Sequence, residues 1–290
     1  MPRDVGELLS LLDLETIDDN LFRGAQQDSV LPRVFGGQVA AQALVAASRT
    51  TDPAYVVHSL HSYFLQPGDT GAPIVYDVEE LRSGRSFATR RVLARQHGRP
   101  IFVMTTDFQK PEDGLEHQDA FPDDVPAPED CFDPQAGRGE ELSEWGAISM
   151  RYVGSSADLL PEDPQRPGRQ RFWLRIDGEL PDDPLVHAAA FAYASDMMFL
   201  RNAMLPHAVR PGSPSVQAAS LDHAIWFHET PDFNQWHLFA TDSPWAGHAR
   251  GLNHGHFFDE TGRMVATVSQ ESLMRPKGDV LDRLREGETP

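Results

Sequence analysis

Asp196 lies in ASDMMFL, a run otherwise apolar or small, with Tyr193, Met197, Met198 and Phe199 as neighbours. A carboxylate among such side chains is costly to bury unless something compensates it. Two readings stand side by side: an aspartate on a solvent-facing helix surface, or a base kept for proton transfer. With a reference pKa of about 3.9 it is ionised at neutral pH unless burial raises that value, and a carboxylate can take a proton from an attacking water. Ser220, Asp222 and His223 stand together and carry the residue types of nucleophilic hydrolysis. On one strand, however, residues 220 and 222 face one side and 223 the other, and no G-x-S-x-G elbow occurs in the chain. His254 and His256, among 12 histidines, could face one metal ion, but no third ligand follows at a recognisable spacing. Gln270 reads as a polar residue on a strand face.

Arg82, Arg85, Arg90, Arg91 and Arg95 cluster in LRSGRSFATRRVLAR. On a strand Arg91 and Arg95 share a face that Arg90 does not, and such a cluster could attract phosphates. A solvated strand face is the commoner explanation. Cys131, the only cysteine, sits in PAPEDCFDPQ with no helix start or basic neighbour to lower its pKa, which argues against a reactive thiolate. It also leaves no intrachain disulfide and no cysteine-based zinc site.

The chain has 290 residues with net charge −19, 40% hydrophobic and 24% charged residues, and only two lysines, Lys110 and Lys277. That balance fits a globular protein with a real core. So negative a surface repels phosphate backbones, so neither nucleic acid nor an anionic membrane is an expected partner. The acidic start MPRDVGELLSLLDLE has no basic leader before an apolar run, no apolar stretch approaches a membrane span, and the end Glu-Thr-Pro carries no peroxisomal tripeptide. A cytoplasmic location is the expectation. There is no Walker A sequence and no G-x-G-x-x-G, and no cofactor is expected.

Leucines at helical spacing predict a short helix over residues 5–14, followed by a strand at LFRGA and an alanine-rich helix at VFGGQVAAQALVAAS. Its small residues on nearly every face point to a buried helix. Four strand-like runs follow: VVHSLHSYFLQ, PIVYDVEEL, SFATRRVLARQ and PIFVMTTDFQ, separated by turn signals at Pro67-Gly68-Asp69, Ser83-Gly84 and His97-Gly98. From about Lys110 to Glu144 the composition turns to Asp, Glu, Pro and Gly, which reads as a linker or crossover, and a second such stretch, LLPEDPQRPG, precedes the strand RFWLRID. Then the order returns: a buried helix at VHAAAFAYASDMMFL and strands at SVQAASLDHAIWFH, WHLFATD, ARGLNHGHFFDE and MVATVSQESLMR.

Two separate pairings give one spacing. SLHSYFLQPGD matches DHAIWFHETPD with 232 − 69 = 163, and Gly98-Arg99 matches Gly262-Arg263 with 262 − 98 = 164. A repeat of this size points to tandem domains, whose sheets can pack side by side and cover their edges. The expected fold class is α+β, with an N-terminal repeat at 8–110, an acidic linker at 111–147, a C-terminal repeat at 148–275 and a tail at 276–290.

The strings VFGGQVAAQAL, VHSLHSYFLQPGD, YDVEELRSGRSFATRRV, ASDMMFL, SLDHAIWFH and VSQESLMR together resemble acyl-CoA thioesterase II, a double-hotdog family, from about Leu8 to Arg275. The resemblance implies two fused hotdogs, each a long helix wrapped by an antiparallel sheet, and hydrolysis of acyl-CoA to free fatty acid and coenzyme A. It also implies a catalytic aspartate, hydroxyl residue and glutamine, all in the second repeat. The matching positions are Asp196, Ser220 and Gln270, which would together hold and activate the attacking water. The family's hydroxyl residue is often threonine, and serine keeps the oxygen while losing a methyl.

Donors for the developing oxyanion would come from a helix N-terminus. Gly36 and Gly37 are candidates, and so is the second helix start near His187 and Ala188; the sequence does not choose. Arg91 is the candidate contact for coenzyme A phosphate. The spacing sets Val57 opposite Ser220 (220 − 163 = 57) and Thr106 opposite Gln270 (270 − 164 = 106), and the first buried helix holds no carboxylate, Gln42 being its nearest polar candidate. One catalytic centre per chain is therefore expected. A non-catalytic acyl-CoA-binding protein or a hotdog hydratase or dehydratase would use the same ligand, and release of free thiol separates them. Hotdog sheets usually associate further, so a homo-oligomer is expected.

Overall fold

The computed structural model describes residues 1–26, 29, 31–134, 136, 146–155, 167–209, 212–278 and 280–281. The Asp4 carboxylate caps helix α1 (Val5–Leu12) by accepting from Glu7 N at 2.9 Å, and Leu8, Leu11 and Leu12 are its buried side. Short strands β1 (Glu15–Asp18) and β2 (Leu21–Gly24) lead to α2 (Gly36–Arg49), which is buried continuously from Gly37 to Ala47. Strands β3 (Val56–Phe64), β4 (Ile74–Ser83), β5 (Phe87–Gln96) and β6 (Arg99–Gln109) wrap it as an antiparallel meander. The turn between β5 and β6 is made by His97 and Gly98, both at positive φ (50° and 72°), the geometry that matches a two-residue hairpin to strand twist.

The second half repeats the plan. After β7 (Ile148–Tyr152) and β8 (Arg169–Ile176) comes α3 (Pro184–Ser195), capped by Asp183, whose carboxylate accepts from Leu185 N at 2.9 Å. Strands β9 (Val216–Ser220), β10 (Asp222–Phe227), β11 (His237–Gly247), β12 (Arg250–Asp259) and β13 (Met264–Pro276) follow. The sheet order is β1-β2-β4-β5-β6-β3-β10-β13-β12-β11-β8-β7, with every pairing antiparallel and β9 beside β13. The halves are mirror sequences of one another about the β3–β10 pair, where Leu60 stands opposite Ile225. One sheet thus wraps two helices that pack on each other, an α+β double hotdog.

The structure differs from the sequence reading in four places. The second buried helix stops at Ser195, because Met198 takes a left-handed conformation (φ 61°) and a 3-10 helix runs on from Phe199 to His207. The run SVQAASLDHAIWFH is two strands broken at Leu221, so the alternation argument does not carry across residues 220–223. Strand β1 (ETID) is exposed throughout and carries no alternation, whereas β7 turns Ile148, Met150 and Tyr152 inward but runs for only five residues, and the sequence reading names neither. The acidic segment also contributes packing: Phe121 and Val125 lie on a second hydrophobic cluster of Trp173, Trp236, Leu238 and Phe258, and the Trp173 indole N–H donates to Pro126 O at 3.0 Å. Most of LLPEDPQRPG and the tail beyond residue 281 lie outside the described residues.

Candidate active site

The site forms where the N-terminus of α2 meets the C-terminus of α3. Such close approach requires the glycine pair. A Cβ on Gly37 would stand 2.3 Å from Tyr193 O, and one on Gly36 would stand 2.6 Å from Asp196 Oδ2. Asp196 is the C-cap residue of α3, and α2 begins without any side-chain cap. The carboxylate fills that role from the other repeat: Gly37 N–H donates to Asp196 Oδ2 at 3.0 Å. Gln270 on β13 donates from Nε2 to Asp196 Oδ1 at 2.8 Å. The positive end of the α2 dipole faces the charge, while the C-terminus of α3 opposes it.

Desolvation dominates the balance and raises the Asp196 pKa to about 6, against the lowering effects of Gln270, Gly37, Ser220 and Arg33. Protein surrounds the carboxylate on every side at longer range, yet part of its surface still opens on a cleft. That opening is what lets a water and a substrate carbonyl reach the carboxylate. The cleft has a volume of about 520 Å³, and its walls include Val39, Phe64, Ile101, Phe102 and Phe199 with Asp196 and Ser220. Its size falls among small-molecule sites, and its lining is apolar but for a few polar groups.

Ser220 reaches the cleft wall because the chain breaks at Leu221, which lets β9 pair with β13 through Ser220 opposite Ser272. Its hydroxyl makes no direct hydrogen bond to the Asp196 carboxylate, but it lies near enough to lower that group's pKa. Gln270 is fully buried and is not part of the cleft wall, so its amide acts on the carboxylate from behind. Of the six residues singled out from the sequence, five (Asp196, Ser220, Gln270, Gly36 and Gly37) converge here. Arg91 does not: it lies on the outer face of β5, ion-paired with Glu79 at 3.5 Å. Arg90 points inward, is buried, and donates to Thr50 O at 2.9 Å and Arg82 O at 2.7 Å.

The rival constellations are not assembled. The Asp222 carboxylate accepts from Glu271 N at 2.6 Å, while His223 turns inward to Ser195 Oγ at 2.8 Å. Ser195 already donates to Ala192 O at 2.9 Å, so the His223 Nε2–H is the donor in that pair. Burial pushes the His223 pKa down to about 3, leaving a neutral ring. His254 and His256 contact Ser269 Oγ and Thr267 Oγ1 at 2.9 and 3.3 Å. Among the described residues no cluster of three His, Cys, Asp or Glu could hold a metal. The Cys131 thiol is pushed up by burial and by Asp130 and Glu129. The α3 N-terminus is capped by Asp183, and His187 Nδ1 accepts from Phe233 N at 3.0 Å. Among the described residues no helix is long and apolar enough to cross a membrane.

Sequence reasoning does not reach Arg33 or Ser195, and it marks His223 only as part of a nucleophilic constellation with Ser220 and Asp222, not as the partner of Ser195. Arg33 lies on the cleft wall, donates to Ala218 O at 2.7 Å and lowers the Asp196 pKa through space. Nothing in its local pattern marks it, and only the fold brings it there. Ser195 and His223 are 28 residues apart and meet beneath the end of α3.

A double hotdog with a carboxylate at the junction of its two helices, opening on an apolar cleft, defines a class of thioester-handling proteins. Comparison with known proteins narrows the class. Residues 163–273 match the acyl-CoA thioesterase family model, and residues 26–109 match the model of the acyl-CoA thioesterase N-terminal domain. The chain is 39% identical over 284 residues to acyl-CoA thioesterase 2 of Haemophilus influenzae, covering 93% of this chain and 98% of that one. It is also similar to the crystal structure of acyl-CoA thioesterase II TesB2 from Mycobacterium marinum, with TM-score 0.80, 42% identity, and coverage of 93% and 99% of the two chains. A hot dog fold protein of unknown function from Alicyclobacillus acidocaldarius, 23% identical with TM-score 0.77 over 94% of this chain and 99% of that one, shares the fold. The chain belongs to the acyl-CoA thioesterase family, a family of thioester hydrolases.

Proposed function

We propose that the protein hydrolyses acyl-CoA thioesters to a free fatty acid and coenzyme A at one centre per chain, by direct attack of a water that Asp196 activates. The observation that carries this reading is the placement of Asp196: a carboxylate with a pKa of about 6, held by two N–H donors at the inner end of an apolar cleft. At neutral pH it is mostly ionised yet basic enough to accept a proton. Water attacks the thioester carbonyl and gives its proton to Asp196. The tetrahedral intermediate then collapses, the C–S bond breaks, and the proton passes to the departing thiolate.

The Ser220 hydroxyl orients the water from the cleft side. Gln270 serves the same step indirectly, by fixing the carboxylate. Gly37 N–H is spent on Asp196, and Gly36, which lies on the cleft wall at the α2 N-terminus, supplies the N–H for the oxyanion. The apolar walls suit an acyl chain, and Arg33 supplies positive potential on a strongly acidic protein.

The test is release of free thiol from a panel of acyl-CoA chain lengths. General-base assistance is worth roughly a hundred- to ten-thousand-fold, so Asp196→Asn should lose that much turnover and still bind acyl-CoA. Normal turnover by Asp196→Asn contradicts the assignment. Binding without thiol release by the unaltered protein would leave a non-catalytic acyl-CoA-binding protein or a hydratase.

A further inference from the structure

Behind the cleft, on the inner face of the second-repeat sheet, lies a group of polar side chains that the proposed chemistry does not use. Asn253 on β12 is fully buried, and neither its Oδ1 nor its Nδ2 has a partner among the described residues. It stands directly across the β12–β13 ladder from Gln270, whose Oε1 is likewise buried without a partner. Asn202 and Ser272, also buried, carry further unpartnered atoms. Buried amides are nearly always hydrogen-bonded, so such a group calls for an account.

The repeat supplies a comparison within the molecule. The offsets 253 − 90 = 163 and 270 − 106 = 164 make Arg90 and Thr106 the counterparts of Asn253 and Gln270, and those two also stand opposite each other. In the first repeat both are satisfied: Arg90 Nε donates to Thr50 Oγ1 at 3.0 Å and Thr106 Oγ1 donates to Ser59 O at 2.9 Å. That position is closed and structural. In the second repeat it holds two amides with spare capacity, one of them already on the Asp196 carboxylate.

A glutamine amide has two orientations. The one present here sets Nε2 on Asp196 Oδ1; the flipped one would set a carbonyl oxygen against a carboxylate. The orientation present leaves Oε1 in need of a donor. Side chains opposite each other in an antiparallel pair have Cβ atoms roughly 5 Å apart, within reach of one hydrogen bond or one bridging water.

We propose that Asn253 is a positioning residue for hydrolysis: its Nδ2–H reaches Gln270 Oε1 through one buried bridging water, and so locks the glutamine N–H onto the Asp196 carboxylate. The inference rests on Asp196 as the base. Asn253 itself touches neither substrate nor the attacking water.

The test compares kcat, KM and the pH dependence of kcat/KM for Asn253→Leu, Gln270→Leu and the double variant. Asn253→Leu should lower kcat about tenfold with KM within about twofold, the pattern of a lost transition-state contribution. The pKa governing kcat/KM should rise, because a poorly held Gln270 N–H no longer favours the charged carboxylate. Asp196 is the group expected to titrate there: the Arg33 guanidinium faces it, and burial keeps the His223 ring beneath neutral. The double variant should be no worse than Gln270→Leu alone. Asn253→Ser, which keeps a donor, should recover part of what Asn253→Ala loses, and this pair reads the same quantities if Asn253→Leu does not fold. An unchanged kcat in Asn253→Leu, or a loss that adds fully to that of Gln270→Leu without moving the pKa, overturns the proposal. Full turnover by Asp196→Asn would instead strike the general-base reading beneath it.

Discussion

Asp196 is pulled in opposite directions. Burial penalises its charge, and Gln270, Gly37, Ser220 and Arg33 recover part of the loss, which leaves its pKa at about 6. That value lies above the unfolded one, so the native state holds the proton more tightly. Stability from this group is present at low pH and is lost as pH rises, the loss being complete above about 6. Asp196→Asn does not titrate, so relative to the unaltered protein it should gain roughly 1–3 kcal/mol of stability between pH 4 and pH 8, read by urea unfolding at both pH values. A constant difference across that range would mean the carboxylate is not strained. The aspartate is legible in the sequence because a charge interrupts an apolar run. Its supports are not, since Gln270 lies 74 residues away and Gly37 159, and both reach it only through the meeting of two repeats.

The elements that frame the site were readable as types but not at their ends. Alanine-rich runs predict both buried helices, yet the stop of α3 depends on a left-handed residue that is a methionine, Met198, and carries no glycine signal. The break at Leu221 is likewise set by partners: Leu221 N donates to Glu271 O and Phe64 N to Leu221 O, both at 2.9 Å, which ties the kink to two neighbouring strands. The glycine pair is the opposite case, visible in the sequence and explained by contact. Gly37→Ala would drive a methyl against the Tyr193 carbonyl, so we expect destabilisation of about 2–4 kcal/mol and loss of turnover even where the protein folds. Thermal melting and thiol release of that variant check both parts, and a Gly37→Ala enzyme with unaltered melting would show that the helix ends are looser than described.

At the scale of the molecule, two repeats share one sheet but only one carries the acid–base machinery. The counterpart region is occupied by structure: Gln42 is fully buried, accepts from Tyr76 OH at 2.7 Å and donates to Leu11 O at 2.8 Å. Thr106→Val and Gln42→Met should therefore lower the melting temperature but leave kcat per folded enzyme within a few-fold. A loss as deep as that of Asp196→Asn, with acyl-CoA binding kept, would require a second centre. The repeat itself was legible through agreement of two spacings, whereas the packing role of Phe121 in the acidic segment was not, because one aromatic among Asp and Pro residues carries no periodicity. Whether Asp196 activates water is read from the pH dependence of kcat/KM for the unaltered protein. With Asp196 as the base, the profile should show a plateau at neutral and mildly alkaline pH and, below about 6, a fall approaching tenfold per pH unit as Asp196 takes up its proton. A rate that stays level from pH 8 to pH 4.5 in a protein that remains folded would contradict it.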